Sequence, residues 1–228
     1  MNIQSVLKVH YQDKWAWFFT PNIMILSVLL LHVIISLLFI TDGKGSFTVG
    51  ISYLVIYMLV MGILVVTQTF PYMIGMSIRR TDYFFGTVVM AVAVNICYAV
   101  MLLILTIMEK VTNGFGLNMR FFHFPYLNDG TILEQLTIYV ILLLHFFFLG
   151  FLLSSLGYRY GKKGMFITAF LVILITSLLS VFITYQGYWM NISNWFASRT
   201  AVEVAYWLMI PTLIYIFVPY KLLRRALI

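Results

Sequence analysis

The sequence predicts an all-α integral membrane protein: six transmembrane helices, an amphipathic N-terminal interfacial helix, and a short helix in the loop after the second span. Three observations carry this. The 228 residues are 63 % apolar and only 9 % charged, with a mean hydropathy of +1.01, whereas a soluble domain carries about 25 % charged residues. Six runs are long and apolar enough to cross a hydrocarbon core, which takes roughly 20 helical residues. Those runs also lack the alternation that barrel strands need: residues 99–105 are apolar throughout, and 138–149 are broken only by His145 and the hydroxyl of Tyr139.

In order along the chain, residues 1–20 read as the interfacial helix. Ile3, Val6, Leu7, His10 and Tyr11 recur at helical spacing, Lys8 and Lys14 face elsewhere, and Trp15, Trp17, Phe18 and Phe19 form an aromatic anchor before Pro21. Their polarity and the lack of a small-residue cleavage site argue against a cleavable signal peptide. The spans follow at 23–40, 51–73, 84–108, 132–156, 165–185 and 201–220, within a single transmembrane domain covering 1–228 and ending in a tail at 221–228. The longest segment between spans, 109–131, leaves no room for an ATPase, kinase or large binding domain within these residues. The aromatic segments 115–126 and 188–196 are expected to rest in the outer headgroup layer or dip into it. Cys97 lies inside a span and has no second cysteine to pair with.

With six spans, Lys8, Lys14, Arg79, Arg80, Arg159, Lys162, Lys163, Lys221, Arg224 and Arg225 share one side. Lys44, Lys110, Arg120 and Arg199 share the other. Ten against four places both termini in the cytoplasm. Asp13 and Asp82 fall inside, and Asp42, Glu109, Asp129, Glu134 and Glu203 outside, so the sides carry +8 and −1. The net +7 is then a topology signal, and nucleic-acid binding is not needed to explain it.

The spans hold no carboxylate or arginine at mid-membrane, which disfavours a proton- or sodium-driven carrier, as does the absence of a visible inverted repeat. His32 and His145 lack the partners a metal site would require and read as packing or interhelical hydrogen-bonding residues. Thr48-Val49-Gly50 is followed by Ile51-Ser52 where a potassium filter needs Tyr-Gly. The run from Gly157 to Lys163 has three residues between its glycines where a phosphate loop has four, and lacks the following Ser or Thr. No His-Glu-x-x-His or Gly-x-Ser-x-Gly pattern occurs, so no enzymatic site is expected and no cofactor is assigned to the chain. Uncharged polar residues do lie in the spans: Thr67, Gln68, Thr69, Asn95, Tyr98, Ser154, Ser155, Thr176, Ser177 and Ser180. In lipid these are expected to face other helices or a cavity, and Gln68, Asn95 and Tyr98 form the candidate pathway.

One basic loop stands out, running from Phe70-Pro71 through Gly75 to Gly86-Thr87. Ser77, Ile78, Arg79, Arg80, Thr81, Asp82, Tyr83 and Phe84 form an amphipathic stretch in which Ser77 or Thr81 is suited to cap a short helix. Met76, Ile78, Tyr83 and Phe84 would make an apolar knob around Arg79, Arg80 and Asp82; a tight basic turn is an equal reading on physical grounds. The pattern Gly-Met-Ser-x-Arg-Arg-Thr-Asp-Tyr-Phe-x-Gly-Thr, with the six spans and the N-terminal helix, resembles permease subunits of bacterial ABC-2-type ABC transporters. The resemblance implies that residues 77–84 are a coupling helix docking into a separate cytoplasmic ATP-binding subunit, which holds ATP and Mg. It also implies that Arg159, Lys162 and Lys163 are a secondary contact and that a second copy or related permease subunit completes the unit in the bacterial cytoplasmic membrane. The segment between the last two spans, about 186–200, is short beside the re-entrant helices of larger members. The expected function is ATP-driven export of a hydrophobic or amphipathic peptide, lipid-like molecule or drug. The alternative is a non-transporting sensor or assembly protein that uses the same loop to hold a cytoplasmic partner.

Overall fold

The computed structural model describes residues 3–39, 50–124, 126–128 and 130–224. Ile40, Asp42, Lys44, Thr48, Val49, Asp129 and Arg225, used above, lie outside the described residues. The regular elements are helices: α1 (Ile3–Gln12), α2 (Thr20–Phe39), α3 (Gly50–Leu64), α4 (Phe70–Gly75), α5 (Arg80–Val111), α6 (Ile132–Tyr185), α7 (Trp189–Ala197) and α8 (Ala201–Arg224). Wider π-helical turns join α2 to its approach at Trp15–Phe19 and α3 to α4 at Val65–Thr69. Among the described residues five helical stretches are long and apolar enough to cross a membrane: Trp15–Leu38, Gly50–Gly75, Arg80–Val111, Ile132–Tyr185 and Ala201–Arg224. The sequence reading separated 132–156 from 165–185, whereas α6 runs helical through both and breaks only at Gly161, whose φ of 67° and ψ of −170° suit a residue without Cβ.

Helix α6 packs most extensively on α3 and α8. Its contact with α3 rests on two glycines: a Cβ on Gly62 would overlap the carbonyl oxygen of Phe147, and one on Gly150 would overlap that of Leu59. Close backbone approach through small residues is how helices associate where burial from water supplies no drive. Helix α8 lies beside the first half of α6 in the same direction. Ala205 clusters with Ile138 and Ile141, His145 Nδ1 lies 2.9 Å from Thr212 Oγ1, and Arg159 reaches the carbonyl of Leu222. The chain leaving Tyr160 must therefore return the length of α6 before Ala201. At about 1.5 Å per residue the helical segment 162–185 spans roughly 36 Å. Its side chains are exposed almost throughout, among them Phe166, Ile173 and Phe182. Thr176 and Ser177 there bond to carbonyls of their own helix, at Val172 and Leu174. These bonds satisfy the two hydroxyls within their own helix.

The N-terminal amphipathic helix is present as α1, its buried face set against the start of α5. Val6 fills the space left by Gly86, and His10 Nε2 lies 3.0 Å from Thr87 Oγ1. The basic loops gather at this end of the bundle, hereafter the basic end. At the opposite end the segment 115–126 is split: Phe115 and Phe124 are half-buried and Tyr126 is exposed, whereas Met119, Phe121 and Phe122 turn inward and are nearly fully buried. The cause is Glu109, whose carboxylate accepts the backbone N–H groups of Phe121, Phe122 and His123. Tyr188, Trp189 and Phe196, by contrast, stay exposed.

Candidate functional site

The candidate site is the basic end, and its geometry begins with the two π-helical turns. A π turn leaves carbonyls without their usual helical donors. Here tyrosine hydroxyls from other helices supply some of them. Tyr57 donates to Ala16 and Tyr98 to Trp17 in the first turn, and Tyr83 donates to Val65 at 2.8 Å in the second. Tyr98 thereby pins the N-terminal segment to α5, with Asn22 donating to its hydroxyl at 3.3 Å. Asn95, one turn earlier on α5, is fully buried and donates to Ala91 in its own helix, while its Oδ1 has no partner. Gln68 is exposed on the α3–α4 stretch. The three candidate pathway residues thus occupy three different settings: an interhelical pin, the core, and the outer surface.

After α4 the chain turns sharply. Ser77 N–H bonds to Ile74 and Ile78 N–H to Met73, with Ser77 at φ 60°. This is the paired-bond ending of a helix in which a left-handed residue follows the C-cap and an apolar contact crosses the turn. The apolar partners are Met73 and Ile78, both buried. Ser77 therefore ends α4, whereas the sequence reading offered it as a cap for a following helix. Residues 77–84 do not form a helix of their own. They are this turn plus the first turn of α5, which starts at Arg80 without a side-chain cap and carries Asp82 where a helix favours an acid. The apolar knob is corrected as well: Ile78, Tyr83 and Phe84 are buried, leaving Gly75, Met76, Ser77 and Arg79 as the exposed tip, with Arg80, Thr81 and Asp82 half-buried behind it.

The tip is tied to the bundle by aromatic contacts. Phe70 meets Tyr83 at 5.0 Å and Tyr158 of α6 at 5.1 Å, and Phe84 meets Tyr220 of α8 at 5.2 Å. Cationic contacts join the same elements. Arg80 donates to the carbonyl of Arg224 at 3.1 Å, and Arg159 makes a longer 3.5 Å contact to that of Leu222. Two loops about eighty residues apart in the chain thus meet on the last turn of α8, where unpaired carbonyls attract cations. Lys162 and Lys163 lie just past the Gly161 break and are exposed.

Under this loop His10 is fully buried between Trp17, whose ring lies 5.4 Å away, and Tyr83 at 6.3 Å. Burial alone lowers its pKa to about 4, and its Nδ1 has no partner. His32 is bonded to Val28 of its own helix and packs on Phe121, and His145 meets Thr212 across helices. Among the described residues no group of three or more His, Cys, Asp or Glu side chains is placed to hold a metal ion.

Sequence reasoning missed the π turns, because no residue pattern marks where a helix widens. Glu109 did leave a signal: an acid in the last turn of a long apolar helix opposes the helix dipole, so other donors had to be holding it. No family model, no curated protein and no solved structure matches this chain.

Proposed function

We propose that the chain is the membrane-spanning permease subunit of an ATP-driven exporter, docking through residues 76–82 onto a separate ATP-binding subunit that carries ATP and Mg. The observation that carries this reading is the convergence at the basic end. An exposed turn bearing Arg79 is braced by Tyr83 against the π-helical turn at Val65–Thr69 and by Phe84 against Phe151 of α6 and Tyr220 of α8, so that force applied at the tip reaches the neighbouring long helices. A loop serving only as a connection would need no such bracing. The chain crosses the membrane six times in this reading, because the parallel course of α6 and α8 leaves 162–185 to return between them and its apolar length suits a bilayer. Both termini and the tip then face the cytoplasm of a bacterial cell. ATP-driven closure of the partner would move the tip, and with it α3 and α5, as a rigid body that re-exposes a central path. The lack of charge along the spans favours a hydrophobic or amphipathic cargo. The exposed face of 162–185 is available to lipid or to a second permease subunit.

The test is to purify the chain from its native membrane and assay the preparation for a bound subunit that hydrolyses ATP. Arg79→Glu with Arg80→Glu should abolish both co-purification and transport, whereas Lys162→Glu with Lys163→Glu should weaken them less. If reversal at Arg79 and Arg80 leaves assembly and transport intact, the loop is a connection only. If the bound protein does not hydrolyse ATP, the chain is instead an assembly or sensor protein.

A further inference from the structure

We propose that the cleft between α6 at Tyr160, just before the Gly161 break, and the last turn of α8 is a binding site for a phosphate group at the membrane surface. The cleft has a volume of about 590 Å³ and is lined by Arg159, Tyr160, Tyr220, Lys221, Leu222 and Arg224. Three of its six lining residues are cations, and Arg80 stands at its rim through its bond to the Arg224 carbonyl. Among the described residues the single ion pair is Arg199 with Glu203 at the opposite end, so no described carboxylate neutralises these cations. Among the described residues the carbonyls of Leu222 and Arg224 are met by Arg159 and Arg80, and the exposed Lys221 and Arg224 side chains donate to no other described group. Arg80, Arg159, Lys221 and Arg224 converge here from three helices, and like charges brought together repel one another unless an anion joins them.

The guanidinium of Arg159 is already oriented. One of its nitrogens rests at the Leu222 carbonyl and its Cζ lies 5.4 Å from the centre of the Tyr160 ring, leaving further donors for the forked recognition that phosphate oxygens favour. The cleft also sits where a headgroup would be found. Between Glu203 and Lys221 helix α8 carries no charge, and it passes Tyr220 before becoming basic at Lys221 and Arg224, the order expected on passing from hydrocarbon to the aqueous surface. Basic clefts between helices at that level suit anionic headgroups. A free phosphate ion offers the same oxygens without the acyl chains, and Leu222 with the exposed faces of Tyr160 and Tyr220 would add contacts only for the lipid.

The test titrates the full chain, alone in a neutral detergent, with dihexanoyl phosphatidylglycerol, dihexanoyl phosphatidylcholine and inorganic phosphate, reading bound ligand by native mass spectrometry. The chain should bind phosphatidylglycerol at least tenfold more tightly than phosphatidylcholine. Since one surface cation contributes about fivefold, Lys221→Gln with Arg224→Gln should weaken phosphatidylglycerol binding roughly 25-fold. Lys162→Gln with Lys163→Gln, which removes equal charge outside the cleft, should change it less than twofold. Lys221→Gln alone, with an expected fivefold loss, keeps the test informative if the double variant misfolds. Phosphate that competes at the affinity of the lipid identifies the ligand as the free anion; phosphate that fails to compete identifies the headgroup, and either supports the site. Equal binding by wild type and the Lys221 and Arg224 variants, or no preference over phosphatidylcholine, overturns it. No ATP-binding subunit is present in this measurement, so its failure would leave the docking proposal standing.

Discussion

Acidification should undock α1, and the expected size follows from His10. Its imidazole is buried against Trp17, Tyr83 and Thr87, and burial lowers its pKa from 6.5 to about 4. A base whose pKa is depressed in the folded state favours folding in its neutral form. The contribution is therefore complete above pH 6.5, is lost as the pH falls from 6.5 to 4, and changes no further below 4. The full loss is about 3 kcal/mol, and at pH 5 it is about 2 kcal/mol, or roughly 30-fold in the docking equilibrium. Geometry gives the same sign: the imidazolium carries an N–H on both ring nitrogens, and the one at Nδ1 has no acceptor within the described fold. Tyr83 and Thr87 are the polar groups facing the ring from α5, and neither carries a charge to offset the imidazolium. The assay is hydrogen exchange of the α1 amides in detergent at pH 7.5 and pH 5, corrected for the intrinsic pH dependence of exchange. Protection should fall about 30-fold in the wild type and stay constant in His10→Gln. Equal behaviour of the two proteins, or protection unchanged by acid in the wild type, would refute the reasoning.

Other expectations rest on single contacts. Glu109→Ala strips the acceptor from three backbone N–H groups of residues 121–123 and should cost about 3 kcal/mol or more, seen as a lower unfolding midpoint and faster exchange in 119–124. Gly150→Leu forces α3 and α6 apart at the Leu59 carbonyl and should cost about 2–4 kcal/mol, whereas the same change at Gly75, where a Cβ meets nothing within 4 Å, should cost far less. Ser77→Gly relieves a left-handed conformation at a non-glycine residue and should raise stability by about 1 kcal/mol; a loss of stability would mean that the turn is held by contacts of the serine side chain.

Much of the helical layout was legible because composition and run length are enough to mark a span. The expected starts at residues 132 and 201 coincide with those of α6 and α8, and residues 51–73 fall inside the helical stretch Gly50–Gly75. Orientation of side chains was less legible. A run apolar on every face carries no periodicity to say which side packs, so the exposure of 162–185 had no marker, and the inward turn of Phe121 and Phe122 was signalled only indirectly by the acid at Glu109. The residue types mark the loop at 76–84 but not its form: Ser77 suits a helix start by propensity, but the bonds to Met73 and Ile74 and the burial of Ile78 fix it as a helix end. The meeting of Arg80 and Arg159 on α8 depends on tertiary packing alone, which no local pattern reports.

The central claim, that the tip of the 76–82 loop couples the bundle to an ATP-binding subunit, is tested most directly by a photocrosslinking residue placed at Met76 in cells. Met76 is about half exposed at the tip, and Tyr185, exposed at the far end of α6, serves as the control position. Illumination should join position 76, and not position 185, to a subunit that binds and hydrolyses ATP, and Arg79→Glu with Arg80→Glu should remove the adduct. Adducts from position 76 to lipid alone, or to a protein that does not bind ATP, would contradict the account.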